Sequence, residues 1–167
     1  FTLREGVTCL MAPSGAGKTT LLRLLLGLEK ADGGQITGLA GRRISAVFQE
    51  DRLLLGLDAE GNLRFVLGAD CDEGRAAELL GELGLSDVGD KAVRDYSGGM
   101  RRRLALARAL LFPCDILLLD EPFTGLDPEN RRRAAACVRR HGAGKIVFVV
   151  THEASDAEAL EAEILRI

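Results

Sequence analysis

No apolar stretch in this sequence approaches the ~20 residues that a membrane-spanning helix needs. Leu21–Leu28 comes nearest to attention and is broken by Arg23 and Gly27. A secretory signal is not visible either, and the chain begins at Phe1 rather than methionine, which reads as a trimmed start. Excess positive charge is also missing. The formal net charge is −3, which leaves no global basic field to hold nucleic acid. Arginines do cluster at 101–103, 131–133 and 139–140, and the last two clusters read as solvated helix faces. Cys9, Cys71, Cys114 and Cys137 form no C-x-x-C pair. That argues for structural thiols in a reducing compartment and against a metal site. There is no internal repeat, no low-complexity segment and no sustained heptad pattern.

What remains is an ordinary soluble composition. Of 167 residues, 47% are hydrophobic and 28% charged, enough for one domain with a sizeable core. Val7–Met11 reads as a buried strand entering a glycine-rich loop, and Lys18–Leu28 as a helix stopping near Gly27. Gln35–Leu39 is expected as a short strand and Ile44–Phe48 as a core strand. From Glu50 to Asp95 leucine, alanine and acidic residues dominate, with helices expected over Ala59–Leu67 and Glu73–Leu83. Gly99–Leu111 is a further helix. Asp115–Asp120 and Lys145–Val150 are near-pure aliphatic strands, as expected when helices cover both sheet faces. Between them Pro128–Arg140 is a helix with Asp127 as its cap. Helix Glu153–Glu161 and strand Ile164–Ile167 close the chain. Strands alternating with helices imply an α/β fold with a mainly parallel sheet.

Two small-residue loops run into helical patterns. One is Ser14-Gly15-Ala16-Gly17-Lys18-Thr19-Thr20, and the other is Tyr96-Ser97-Gly98-Gly99-Met100. Helix N-termini gather unpaired N–H groups and the positive end of the dipole, so both suit phosphate. One nucleotide rarely needs two such sites from one chain, so the pair points to sites completed across a dimer. In the first loop, Gly15 and Gly17 let the backbone approach a polyphosphate, Lys18 supplies charge to the β- and γ-phosphates, and the Thr19 hydroxyl suits Mg²⁺. The full G-x-x-x-x-G-K-[ST] pattern would place glycine where this chain has Ala12. Alanine resists positive φ, so a strained or reshaped start to the turn is expected. Ile116–Glu121 is a buried strand ending in two acids. It delivers carboxylates to the sheet edge where α/β proteins bind ligands, Asp120 for the Mg²⁺ shell and Glu121 to polarise the attacking water.

In this order the motifs resemble the nucleotide-binding subunit of an ATP-binding-cassette (ABC) transporter along nearly the whole chain. Gln49 after Val47-Phe48 matches the family's Q-loop, Ser97-Gly98-Gly99 its signature, Gly125-Leu126-Asp127 its D-loop and Thr151-His152 its switch loop. The resemblance implies a P-loop NTPase core, residues 1–48 and 112–167, with an inserted α-helical subdomain over 49–111. It implies that Ser14, Gly15, Ala16, Gly17, Lys18, Thr19 and Thr20 bind ATP, with Thr19, Gln49 and Asp120 around Mg²⁺. Glu121 is the implied base, His152 steadies the γ-phosphate and water, and Gln49 senses metal and water. Ser97, Gly98, Gly99 and Asp127 are implied to act on the ATP of a second subunit, expected as a homodimer. The implied function is to energise solute transport, as a peripheral subunit on the cytoplasmic face of the membrane. Its partners would be permease subunits and, indirectly, a solute-binding protein; no nucleic acid is expected. Met100 in place of the signature's final glutamine, and the run Val47–Leu54, are similar to nitrate-, sulfonate- and taurine-type importers. Tyr96 departs from the usual leading leucine, and Gly56 stands where tryptophan is often found.

The family stacks an aromatic upstream of the phosphate loop on adenine. Here only Phe1 precedes the loop, and it matches a later strand, so the first antiparallel strands are expected to be trimmed or missing and base selectivity weak. Two other readings remain open at this point: a soluble ABC ATPase of DNA repair or translation, and a nucleotide-binding module without turnover. Lys18, Glu121 and His152 together argue against the second.

Overall fold

The computed structural model describes residues 1–13 and 15–166. Ser14 and Ile167, both named above, lie outside the described residues. The described residues form five strands: β1 (Gly6–Met11), β2 (Ile44–Val47), β3 (Ile116–Asp120), β4 (Ile146–Thr151) and β5 (Glu163–Arg166). They also form six α-helices: α1 (Lys18–Leu25), α2 (Ala59–Leu67), α3 (Glu73–Glu82), α4 (Gly98–Leu111), α5 (Pro128–His141) and α6 (Ala154–Leu160). No described helix is long and apolar enough to cross a membrane.

All strand pairs are parallel, in the order β2-β3-β4-β1-β5. The period of two along each strand divides the core. Leu117 and Leu119 of β3, with Val147 and Val149 of β4, join the larger cluster beneath α4, α5 and α6. Ile116 and Leu118, with Phe148 and Val150, join a smaller one against Leu22 of α1. Burial on both faces is why these strands read as unbroken aliphatic runs. Each buried leucine contributes about 1.5–3 kcal/mol. Cys9, Cys114 and Cys137 are buried, and burial pushes the Cys9 thiol up to about 12, as expected of inert core thiols.

Helices α2, α3 and α4 lie between β2 and β3 in sequence. Their apolar faces meet through Leu63, Leu79, Leu83 and Leu104 in the same cluster as β3 and β4, so no separate core divides them from the sheet. Helix α4 is buried over most of its length, with Leu104–Ala107 and Ala109–Leu111 inside and Arg102 and Arg103 buried with them. Asp58, Asp72, Ser97 and Asp127 cap α2, α3, α4 and α5 by accepting from first-turn N–H groups.

Two elements differ from their sequence readings. Gln35–Leu39 forms no strand. Gly34 and Gly38 sit at φ 82 and φ 84, so two left-handed residues bracket only Gln35, Ile36 and Thr37, too few for a ladder. The helix begun at Lys18 ends at Leu25, short of Leu28, with Gly27 at φ 69 just beyond.

Candidate functional site

The strand order assembles the site. β1, β4 and β3 are neighbours, with β2 beside β3. In a parallel sheet all four C-terminal ends open at one edge, where ligands of α/β folds bind. The loops leaving them carry Lys18, His152, Glu121 and Gln49 respectively. A cleft of about 370 Å³ opens there, lined by Gly15, Gly17, Lys18, Thr19, Thr20, Gln49, Asp120, Glu121, Thr124 and His152.

The loop after β1 turns through Gly15 at φ 82 and Gly17 at φ 81, with open space where each Cβ would stand. Among the described residues of this loop the left-handed ones are those two glycines and not Ala12. The expected distortion is therefore absent there, and Ala12 is buried with its carbonyl turned to Lys18. Helix α1 begins at Gly17 without a side-chain cap and without an acid in its first turn. Among the described residues no side chain caps its leading N–H groups, which face the cleft with the positive end of the dipole. Lys18 is 8% exposed. Its ammonium donates to the Ala12 carbonyl at 2.8 Å and the Pro13 carbonyl at 3.1 Å, and lies 3.9 Å from Glu121 Oε1.

β3 ends by presenting two acids to different partners. The Thr19 hydroxyl donates to Asp120 Oδ2 at 2.7 Å. Burial pushes the Asp120 carboxyl up, and the Thr19 hydrogen bond partly offsets that. An oxygen-only pair so placed fits a hard cation that takes its remaining ligands from phosphate and water. Glu121 is a non-glycine residue at φ 48, a conformation that costs on the order of 1–3 kcal/mol. Its amide donates to the Val150 carbonyl at 2.9 Å. Its carboxylate meets His152 Nδ1 at 2.8 Å and lies 3.4 Å from the Thr151 hydroxyl oxygen. That carboxylate, by hydrogen bond and by charge, holds the His152 imidazole above its ordinary value. Thr151 also donates to buried Asp156 at 2.7 Å.

The second glycine turn is elsewhere. Ser97, Gly98, Gly99 and Asp127 do not line this cleft. Ser97 Oγ accepts from the Met100 amide at 3.2 Å, capping α4, and Gly99 lies against Leu126 and Gly125. Asp127 is committed to Glu129 and Asn130. Phe1 stacks on Phe148, ring centroids 5.9 Å apart. It lines a separate apolar cavity of about 480 Å³ against the α1 side of the sheet.

A family model described as ABC transporter matches residues 1–124. The chain belongs to the ABC transporter family. ABC relatives similar to it include an aliphatic sulfonates import ATP-binding protein of Paraburkholderia xenovorans, 44% identical over 170 residues, covering 98% of this chain and 66% of that protein. Another is a probable sulfate/thiosulfate import ATP-binding protein of Chlorella vulgaris, 39% identical, covering 93% of this chain and 73% of that one. The chain spans 64–70% of the length of the sulfonate-import relatives it matches, just under two thirds of the first of them. Among solved structures, an RNase-L inhibitor superposes with TM-score 0.79 at 30% identity, over 94% of this chain and 31% of that chain. The P-loop α/β fold is thus shared with ABC proteins of more than one kind.

Sequence reading missed Thr124, Asp156 and Arg102. Thr124 follows β3 in a turn with no pattern to flag it. Asp156 looks like one more acid on a surface helix yet is buried, with Arg131 Nη1 at 3.3 Å from Oδ1. Arg102 gave no signal, because it stands inside the arginine run 101–103 and nothing local separates it from its neighbours. Four of the five arginines of α5 are engaged with acids: Arg131 with Glu153, Arg133 with Glu129, Arg139 with Glu161 and Arg140 with Glu82. His141 ends α5 and contacts Glu82.

Proposed function

We propose that this chain binds and hydrolyses ATP to energise solute import across a membrane. The observation that carries this is one cleft holding an uncapped helix N-terminus, Lys18, the Thr19–Asp120 pair and the Glu121–His152 pair. Gly15 to Thr20, with Ser14, would cradle the phosphates. Mg²⁺, held by Thr19 and Asp120 with Gln49 nearby, would supply charge neutralisation to the phosphate oxygens. Glu121 accepts the proton of the attacking water, and its contacts with Thr151 and His152 fix the carboxylate. His152, half-exposed in the cleft lining, would use its other nitrogen to meet a γ-phosphate or water. Ser97–Gly99 and Asp127, turned away from their own cleft, would act on the nucleotide of a second copy. Residues 49–111 would form the moving helical subdomain against the core of 1–48 and 112–167.

The test is Mg²⁺-dependent hydrolysis by the purified chain. Glu121→Gln keeps the shape and removes the base, so turnover falls by about 10²–10⁴-fold while ATP binding persists. Single-turnover hydrolysis within several-fold of wild type removes Glu121 from that role. Import requires a permease. Arg52–Leu57 carries exposed Leu54, Leu55 and Leu57, apolar surface suited to a permease helix in a groove. Leu54→Asp is expected to leave ATP binding intact and to lose co-purification with the permease. Undiminished assembly and transport would place the docking surface elsewhere.

A further inference from the structure

Arg102 and Arg103 are successive residues of α4 and reach in opposite directions. Arg103 donates to the carbonyls of Leu83 at 2.6 Å and Gly84 at 2.8 Å, tying α4 to the end of α3. Arg102, 4% exposed, reaches into the sheet edge. Its Nη2 donates to the carbonyls of Asp120 and Glu121, each at 2.5 Å, and its Nε to Pro122 at 3.2 Å. Its Nη1 donates to Phe48 at 2.6 Å and Gln49 at 3.4 Å, and meets Asp51 Oδ1 at 3.1 Å.

These acceptors share a difficulty. Asp120, Glu121 and Pro122 run off the end of β3, where the ladder stops supplying donors, and buried carbonyls must find them. The peptide at Glu121 also holds a left-handed conformation that a glutamate resists. A guanidinium has five N–H groups in a rigid planar fork, and here one fork holds both the 120–122 turn and the start of the Gln49 loop. A lysine has the charge and not the planar spread.

We propose that Arg102 is a positioning residue for the reaction, one that fixes the Glu121 turn against the Gln49 loop and sets the carboxylate against His152. Because Arg102 stands on the helix that Ser97 begins, it also joins the second glycine turn to its own chain's Glu121. The kinetic arm of this inference rests on the ATPase reading above, and the spectroscopic arm does not.

The experiment compares full-length wild type, Arg102→Met, Arg102→Lys and Glu121→Gln. The chain has two histidines, so proton NMR follows both rings. His152 faces Glu121, Glu153 and Lys18, and His141 beside Glu82 serves as the internal control. In Arg102→Met the His152 titration moves down toward that of Glu121→Gln, with His141 unmoved. Turnover falls by about a hundredfold, the order that a misplacement of on the order of 1 Å brings, while the Kd for Mg-ATP stays within about threefold. Arg102→Lys, more tolerant of folding, gives the same changes at smaller size. Arg102→Met on the Glu121→Gln background lowers residual hydrolysis no further, because the two act as a unit. An unmoved His152 titration in both Arg102 variants overturns the proposal, whatever turnover does, and so does additivity with Glu121→Gln. A wild-type chain without turnover whose His152 titration still responds to Arg102 sinks the ATPase reading and leaves the positioning role standing.

Discussion

The turn before α1 and the turn before α4 are built from the same kinds of residue and end differently. Both bring glycine to a helix N-terminus. α1 begins without a side-chain cap and opens among Asp120, Glu121 and His152. α4 is capped by its own Ser97, and Ser97 and Gly98 are exposed. The lesson is that a phosphate-ready turn becomes a reaction site only where the sheet edge delivers carboxylates beside it. The α4 turn offers the Gly98 and Gly99 amides and a serine hydroxyl, and lacks everything needed to activate water.

The largest effect separates the two turns by mutation. Lys18→Ala is expected to weaken ATP binding by about a hundredfold or more, since it removes the charge that meets the β- and γ-phosphates. Ser97→Arg is expected to leave binding by the single chain intact while abolishing turnover. In a mixed dimer both defects fall in one shared site, so mixing the two inactive chains restores part of the activity. Full activity of a strictly monomeric protein breaks the comparison, because the second turn would then have no nucleotide to act on.

A smaller effect concerns pH. His152 is raised above its ordinary value by Glu121. The pairing therefore contributes stability fully below the unfolded histidine value of about 6.5 and loses it as pH rises through the higher folded value. With a half-exposed ring and salt screening, the contribution is small. Thermal melts should show His152→Ala more destabilising at about pH 6 than at about pH 8.5, whereas Ser97→Ala should cost about 1 kcal/mol at both, as loss of an uncharged cap does. Equal pH dependence for the two would dissolve the distinction.

The smallest effect is base discrimination. Among the described residues, no phenylalanine, tyrosine or tryptophan lines the cleft, and Phe1 is engaged with Phe148. ATP and GTP affinities should differ by less than about threefold, since an aromatic stack worth about 0.5–1.5 kcal/mol is missing. A strong ATP preference in a titration would mean that another residue packs on adenine.

Much of this site was legible one segment at a time. Lys18, Glu121 and His152 each follow an aliphatic run that can only be a buried strand, and short-range punctuation marks where the strand ends. Asp127 was legible as a cap because capping involves only the next few residues, and the structure shows it accepting from Glu129 and Asn130. Gln35–Leu39 misled, because its β-branched and apolar residues say nothing about the left-handed glycines that break the run. Thr124, Asp156 and Arg102 escaped for a different reason: no local pattern marks Thr124, and the polar partners of buried Asp156 and Arg102 stand on other elements, Arg131 for Asp156 and residues 18 to 54 positions away for Arg102.

By itself, then, the sequence determined the alternation of strands and helices, the phosphate turn, the acids that end β3 and the family whose motifs these are. All of that is written in local spacing, which the backbone obeys segment by segment. Only the tertiary structure decided that β3 sits between β2 and β4, that the first glycine turn shares a cleft with Glu121 while the second does not, and that one buried arginine satisfies the carbonyls of two loops. Strand order and the pairing of buried polar groups are settled by which surfaces exclude water together, and that is a property of the whole packed chain.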